Sequence, residues 1–248
     1  MIEKVVVFCK NTNTSKEIPQ GLSLEEIKRE FNVSMGTPIL AALVNNKLRH
    51  LSYRIYKPKT IEFVEMRSVI GARIYSLTLW MMAAKACHEV AGKRLWVRFP
   101  ISAGYFCTVE GEVTDQMISA IKEKMEDYTR RNIQIEVKEE LSSVVAEKFR
   151  NVFAYDVVKL IESIGKHYTQ YYVLEGYFDF YPSVLAPSTG CINSFDVVRY
   201  ENGLMLVMPD TDDHNMPGKP MKQPHTFSAH EEYYKWNDMM DLHSVGDM

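Results

Sequence analysis

The side chains best suited to chemistry are concentrated in residues 176–195, which read GYFDFYPSVLAPSTGCINSF. The first half alternates aromatic residues with acidic or small ones, which predicts a half-buried strand. Pro182 cannot continue strand pairing, and the PSTG run after it has the composition of a tight turn. The carboxylate of Asp179 and the hydroxyls of Ser188 and Thr189 could orient a polar ligand beside this turn.

A second chemically suggestive segment is YSLTLWMMAAKACHEVA, residues 75–91, which predicts a helix that Gly92 ends. His88 lies near the C-terminal end of this helix, where a surface or helix-terminal histidine is expected.

The first part of the chain predicts a small sheet around one helix. Ser23, with Glu26 three residues later, forms the capping-box sequence that starts a helix. Asn45 and Asn46 suit a tight type I′ hairpin turn. Strands are predicted at residues 3–9, 39–44, 47–50 and 61–65. This order predicts a β-grasp domain over residues 1–66.

Residues 67–208 predict a second, larger α+β domain. Thr114 can cap a long amphipathic helix, whose apolar stripe includes Met117, Ile121 and Met125. Further helices are predicted at residues 142–149 and 156–164, and strands at 93–99, 105–110, 132–138, 168–174 and 177–181. Residues 210–224 are polar and rich in proline, which predicts a linker, and residues 225–240 predict a helix with Ser228 as its N-cap.

Composition limits the functional classes. A net charge of −3, 46% hydrophobic and 25% charged residues are ordinary for a globular protein, so any RNA-binding surface has to be local. Cys9, Cys87, Cys107 and Cys191 are scattered without paired spacing, which favours reduced thiols and a cytoplasmic location. No apolar run approaches the roughly 20 residues of a membrane helix, so no membrane partner is expected.

Two stretches near the N-terminus, GLSLEEIKREF and AALVNNKLRHL, resemble a TGS domain. TGS domains are β-grasp modules at the front of threonyl-tRNA synthetases and some GTPases. The resemblance covers residues 1–66 and implies binding of RNA or of a regulatory ligand. A structural spacer is an equally good interpretation.

Residues 67–208 resemble the editing region of threonyl-tRNA synthetases, also called the second additional domain. In that family the PSTG loop follows a Cys-x-x-x-His pair, whose positions hold Tyr181 and Leu185 here. The family's His-x-x-x-His helix corresponds to Tyr75 and Leu79, which a spacing of four residues puts on one face, and a Gly-Phe-Tyr-like run is matched around Tyr105. A phenol and an isobutyl group are not zinc ligands, and His88 lies too far along the helix to replace either, so no bound metal is expected. The resemblance thus implies the scaffold of a reactive site without its reactive groups.

The combination of these two domains also resembles bacterial uridine-kinase-like proteins, in which a P-loop kinase domain follows. The tail SVGDM, residues 244–248, is similar to the connector before that domain. No Gly-x-x-x-x-Gly-Lys-Ser/Thr run occurs in the chain, so ATP and Mg²⁺ are expected only in a kinase domain that this chain lacks. Residues 209–248 would then be the linker and helix leading toward it.

The main functional hypothesis is a non-catalytic ligand-binding or regulatory region of a nucleoside kinase, with a nucleoside, nucleotide or RNA as ligand. An editing hydrolase acting on misacylated tRNA and a structural module forming a homo-oligomer are the alternatives. Tyrosine, with a pKa near ~10, is a poor base at pH 7, which argues against hydrolysis. The candidate pocket, without catalytic residues, comprises Tyr75, Leu79, Tyr105, Asp179, Tyr181, Leu185, Ser188 and Thr189.

Overall fold

The computed structural model describes residues 3–240. The fold is α+β, with an N-terminal β-grasp domain followed by a larger α+β domain, as the sequence predicts. The predicted tail at residues 244–248 lies outside the described residues.

The β-grasp domain is built on a five-stranded sheet with the order β2-β1-β7-β4-β5. The central strands β1 and β7 are parallel, and the other pairs are antiparallel. These strands are β1 (Lys4–Cys9), β2 (Thr14–Pro19), β4 (Ile39–Val44), β5 (Lys47–Arg49) and β7 (Lys59–Glu65). A helix, α1 (Leu24–Glu30), and a short strand pair, β3 (Leu22–Ser23) with β6 (Arg54–Ile55), complete the domain.

Two local predictions in this domain are confirmed. The side chain of Ser23 accepts from the backbone N–H of Glu26, and the Glu26 carboxylate accepts from the Ser23 N–H, which closes the capping box. Asn45 and Asn46 turn the β4–β5 hairpin with φ of 48° and 64°, the left-handed values that a type I′ turn requires.

The second domain contains a four-stranded antiparallel sheet and a three-stranded one. The first has the order β13-β14-β9-β8, with β8 (Leu95–Ile101), β9 (Gly104–Val109), β13 (Asp196–Tyr200) and β14 (Gly203–Val207). The second has the order β10-β11-β12, with β10 (Glu136–Leu141), β11 (Tyr168–Leu174) and β12 (Tyr177–Asp179). The helices are α2 (Val69–Ala91), α3 (Asp115–Arg131), α4 (Ser142–Asn151), α5 (Tyr155–Ile164) and α6 (Pro224–Met239).

Helix α2 is the centre of the molecule. It is apolar all round, as expected of a helix buried on every side, and nearly every residue from Ile74 to Cys87 is buried. Its core includes Leu40 and Val64 of the first sheet, so the β-grasp domain packs directly on α2 while most of its other apolar residues form a separate core around α1. Gly71 permits this junction, because a Cβ there would lie 1.9 Å from the carbonyl oxygen of Glu65.

Helices α4 and α5 cover one face of the three-stranded sheet, where Phe149, Val158 and Tyr171 pack together. Helix α6 covers the outer face of the four-stranded sheet through Phe227. The helix begins at Pro224, so the prediction that Ser228 caps it is wrong. Proline suits a first helical position because it lacks the N–H that would go unpaired there.

Candidate functional site

Tyr75, the first of the candidate pocket residues, is completely enclosed. Its side chain is 0% exposed. Its hydroxyl donates to the carbonyl oxygen of Ser194 at 2.6 Å and accepts from the Ser194 N–H at 3.0 Å. Burial raises the pKa of Tyr75 well above the usual tyrosine value. The phenol is therefore held neutral and has no hydrogen-bonding position left for a ligand.

Leu79 and Leu185 are also fully buried and belong to the main core. Thr78, one position before Leu79, is the α2 residue whose side chain is hydrogen-bonded to the loop next to Leu185. Its hydroxyl accepts from the Ala186 N–H at 2.9 Å and donates to the Ile74 carbonyl at 2.7 Å. Sequence analysis missed Thr78, although a lone hydroxyl within an apolar helix is a signal that it satisfies a buried backbone group.

The PSTG turn is hydrogen-bonded to the C-terminal end of α3 and to the residues that follow it. The Thr189 hydroxyl donates to the Tyr128 carbonyl at 2.6 Å and accepts from the Ile133 N–H at 2.8 Å. Gly190 lies so close to α3 that a Cβ there would be 2.3 Å from Oδ1 of Asn132. Ser188 is 7% exposed, and its hydroxyl lies 3.8 Å from Sγ of Cys191. Thr189 and Gly190 thus hold the loop in place.

Tyr105 packs edge-to-face against Trp80, with ring centroids 4.9 Å apart. It lines neither of the two cavities described below. Tyr105 is half-buried, whereas Tyr75 is fully enclosed in the core.

Asp179 and Tyr181 differ from the other candidates because they lie beside open space. The Tyr181 hydroxyl donates to Oδ2 of Asp179 at 3.1 Å, and the Phe180 N–H donates to Oδ1 at 2.8 Å. Burial raises the pKa of Asp179 to about 6, although these hydrogen bonds and the nearby Arg94 favour the ionised form. Burial likewise raises the pKa of Tyr181 well above its usual range.

One cavity, of about 480 Å³, lies between the C-terminal half of α2 and the β11–β12 hairpin, and Asp179 lines it. Its charged groups are largely neutralised by one another. Arg94 makes a bidentate pair with Asp156 at 2.7 Å, and Lys85, buried beneath the cavity, is bonded to Glu89. This cavity therefore presents mostly satisfied charges to a ligand.

A second cavity, of about 440 Å³, lies between the two domains and is called the interdomain groove here. The β-grasp domain contributes Leu48 and Arg49, and the second domain contributes Tyr168, Gln170, Tyr172 and Tyr181. Lys166 and Glu139 also line it. Of the candidate pocket residues, Tyr181 alone lines this groove.

His50 lies beside the interdomain groove, next in sequence to Arg49. Its Nδ1 is 2.8 Å from the Ser52 hydroxyl, and its Nε2 is buried without a hydrogen-bond partner in residues 3–240. Burial lowers the pKa of His50 to about 4, and the main chain of Ala186 opposes that shift weakly. A neutral imidazole therefore lies between the β-grasp domain and the loop after Pro182.

Within residues 3–240, no group of three or more His, Cys, Asp or Glu side chains is arranged to hold a metal ion. No helix in that range is long and apolar enough to span a bilayer.

Comparison with known proteins connects the chain to one group of enzymes. No family model matches the sequence. The threonine–tRNA ligase of Rubrobacter xylanophilus is 25% identical over 182 residues, which cover 72% of this chain and 28% of the ligase. That of Thermotoga petrophila is 25% identical over 189 residues, or 74% of this chain and 29% of the ligase. That of Listeria welshimeri is 25% identical over 188 residues, with the same coverage.

The chain thus spans less than a third of the length of these relatives. The predicted likeness to threonyl-tRNA synthetases is confirmed at this level. None of these relatives is a nucleoside kinase, so they give the predicted kinase connection no support.

Proposed function

We propose that this chain is a threonyl-tRNA synthetase-like module that binds RNA, with tRNA as the first candidate, and that it does not cleave an ester. The likeness to threonine–tRNA ligases over about three quarters of the chain supports tRNA as the ligand. The chain's net charge of −3 requires a local binding surface rather than a generally basic one.

The proposal that the chain does not cleave esters rests on the burial of Tyr75 and Leu79, the two α2 side chains at the family's histidine positions. Ester hydrolysis near neutral pH needs a water activated by a metal or a general base. Leu79 and Leu185 have no ligating or basic atom and are fully buried. The hydroxyl of Tyr75 is used on both sides by Ser194. The Tyr181 hydroxyl donates to Asp179, and burial raises the pKa of Tyr181 well above its usual range. The four positions that correspond to the family's His and Cys residues therefore offer no group that could activate water.

Editing-type hydrolysis of misacylated tRNA is the second candidate, and one observation favours it. The pKa of Asp179, raised to about 6 by burial, lies in the range suited to a general base. The Phe180 N–H and the Tyr181 hydroxyl already bond its two oxygens, which weakens that role. The nearby Arg94 is already paired with Asp156, so it is not free to stabilise the oxyanion that ester attack creates.

Regulation of a nucleoside kinase domain and assembly into a homo-oligomer stay predictions from the sequence. The connector-like tail on which the kinase hypothesis partly depends lies outside residues 3–240. Neither hypothesis conflicts with RNA binding, because neither requires the interdomain groove for another purpose.

The test combines binding with ester cleavage. Binding of unacylated tRNA to the whole chain is measured by filter retention at two salt concentrations, and we expect saturable binding that weakens with salt. Release of serine from seryl-tRNA bearing the threonine anticodon is then measured with wild type and Asp179→Asn. No binding would overturn the proposal. Serine release that Asp179→Asn abolishes would replace it with the hydrolase.

A further inference from the structure

We propose that the interdomain groove binds an unpaired ribonucleotide of the RNA ligand, with the base against Tyr168 and Tyr181 and the phosphate between Arg49 and Lys166. This inference rests on the proposed function and names the site and the part of the RNA that it recognises.

The groove lies beside one face of the three-stranded sheet, where that face extends past the part that Leu174 packs into the main core. Strand alternation in β11 points Thr169, Tyr171 and Val173 toward α4 and α5. Tyr168, Gln170 and Tyr172 therefore share the opposite face, where all three line the groove. Strand β5 of the first domain stands across from them and supplies Arg49. The result is an aromatic sheet face opposite a cation.

The aromatic side chains of this face differ in how exposed they are and in whether their hydroxyls are hydrogen-bonded. Tyr172 is 3% exposed, and its hydroxyl donates to the Ser183 carbonyl at 3.0 Å, so it forms a fixed floor. The Tyr181 ring packs against the Tyr172 ring, with the two ring centroids 6.4 Å apart, and the Tyr181 hydroxyl donates a hydrogen bond to Asp179. Tyr168 is 59% exposed and can take a base against its ring. Aromatic faces of this kind stack on unpaired bases.

The cations at the groove lack anionic partners. Arg49 and Lys166 form no ion pair with any residue in the described part of the chain, although Arg49 lies 4.9 Å from the centroid of the Tyr53 ring. Other cations of the same domains, such as Arg94 and Lys148, are paired with carboxylates. One phosphate would supply the missing charge, despite the single carboxylate of Glu139 in the lining.

Gln170 adds a group able to read a base. Its side chain is exposed on the same face as Tyr168 and carries both a donor and an acceptor. A volume of about 440 Å³ lies within the usual range of small-ligand sites, so the groove has room for one nucleotide. Paired bases present no free face for stacking, which is why the structure favours an unpaired nucleotide over a duplex.

The test uses the whole chain and fluorescein-labelled hexauridylate and hexaadenylate, with binding read by anisotropy. We expect Tyr168→Ala to weaken binding about 5- to 100-fold, the range for loss of one stacked base. The double variant Arg49→Ala/Lys166→Ala should lower the slope of log affinity against log salt by about 0.7, as expected for loss of one neutralised phosphate on a single strand.

Matched controls remove an exposed ring or two charges elsewhere. Tyr155→Ala removes a tyrosine that is 55% exposed on α5, and Arg73→Ala/Lys222→Ala removes the same charge outside the groove. Both controls should bind like wild type. Circular dichroism melting of every variant separates lost binding from lost folding.

Four outcomes would overturn the inference. The first is a Tyr168→Ala affinity within twofold of the Tyr155→Ala control, and the second is a 12-base-pair RNA duplex that binds as tightly as the hexamers. The third is uridine or adenosine monophosphate competing as well as the hexamers per mole, which would indicate a free nucleotide as ligand. The fourth is tRNA binding that ignores every groove variant, which would leave the proposed function standing. Absence of any tRNA binding would remove both.

Discussion

The hydroxyl of Tyr75 bridges the carbonyl and the N–H of Ser194, a residue 119 positions later in the chain. This double hydrogen bond joins α2 to the loop just before β13. It also explains how a phenol is accommodated at a fully buried position, because both its donor and its acceptor are satisfied there. Tyr75 therefore contributes to the fold, and the open groove beside Tyr181 is where a ligand has access.

We expect Tyr75→Phe to destabilise the fold and leave RNA binding intact. The substitution keeps the ring but leaves the buried carbonyl and N–H of Ser194 without partners, a loss of about 1–3 kcal/mol. Urea unfolding followed by circular dichroism measures this. Tyr155→Phe, which removes a hydroxyl from a largely exposed ring, is the control and should change little. An unchanged unfolding midpoint for Tyr75→Phe would show that the bridge is not formed in solution.

The contact between Gly190 and Asn132 gives a second prediction. A methyl group at residue 190 would fall 2.3 Å from Oδ1 of Asn132, so Gly190→Ala should destabilise the protein by about 1–3 kcal/mol. Asn132 has φ of 49°, a value that glycine adopts readily. Asn132→Gly should therefore remove the clash and recover part of the loss in the double variant. Strictly additive effects in this cycle would contradict the close approach.

The features that sequence predicted well are local. The capping box at Ser23 and Glu26 and the turn at Asn45 and Asn46 each depend on residues within one short segment. Residue type and spacing decide such structures almost alone, because their hydrogen bonds close within a few positions. The order of elements, and with it the α+β class, follows from the same kind of signal.

The features that sequence did not predict depend on contacts between distant segments. Thr78 meets Ala186 across 108 positions, and the resemblance pointed to Leu79 instead. Arg49 and Tyr168 both line the groove because Leu40 and Val64 of the β-grasp domain pack into the core around α2. Neither residue carries a motif. The sequence predicted correctly that Tyr181 lies near Asp179. It also predicted that Tyr181 shares a cleft with Tyr75 and Leu79, but those two side chains are buried and leave no cleft there.

His50 should make stability depend on pH. Its pKa is about 4 in the folded chain against an ordinary value near 6.5, so the unfolded chain binds the proton first as pH falls. The contribution of His50 to stability should therefore decrease as pH falls from 6.5 to 4, by up to about 3 kcal/mol. The stability of wild type minus that of His50→Gln should fall by this amount over the same range, whereas the difference between wild type and His225→Gln, at an exposed position, should stay constant. Urea unfolding at half-unit steps of pH measures it, and equal slopes for wild type and His50→Gln would contradict the burial of a neutral imidazole.

The contribution of Asp179 to stability should change with pH in the opposite direction to that of His50, over part of the same pH range. Burial raises its pKa to about 6 from an ordinary value of 3.8, so the folded chain holds a proton that the unfolded chain has already lost. The contribution of Asp179 to stability is thus fully present below pH 3.8 and is lost as pH rises through 6. Asp179→Asn keeps the shape but cannot ionise, and its stability relative to wild type should be greater at pH 7 than at pH 4, by up to about 3 kcal/mol. Asp212→Asn, in an exposed loop, is the matched control. The same unfolding series in the Asp179→Asn background isolates the His50 slope. If Asp179→Asn instead lost stability as pH rose from 4 to 7, the carboxylate would be favoured by its hydrogen bonds and by Arg94 more than it is penalised by burial.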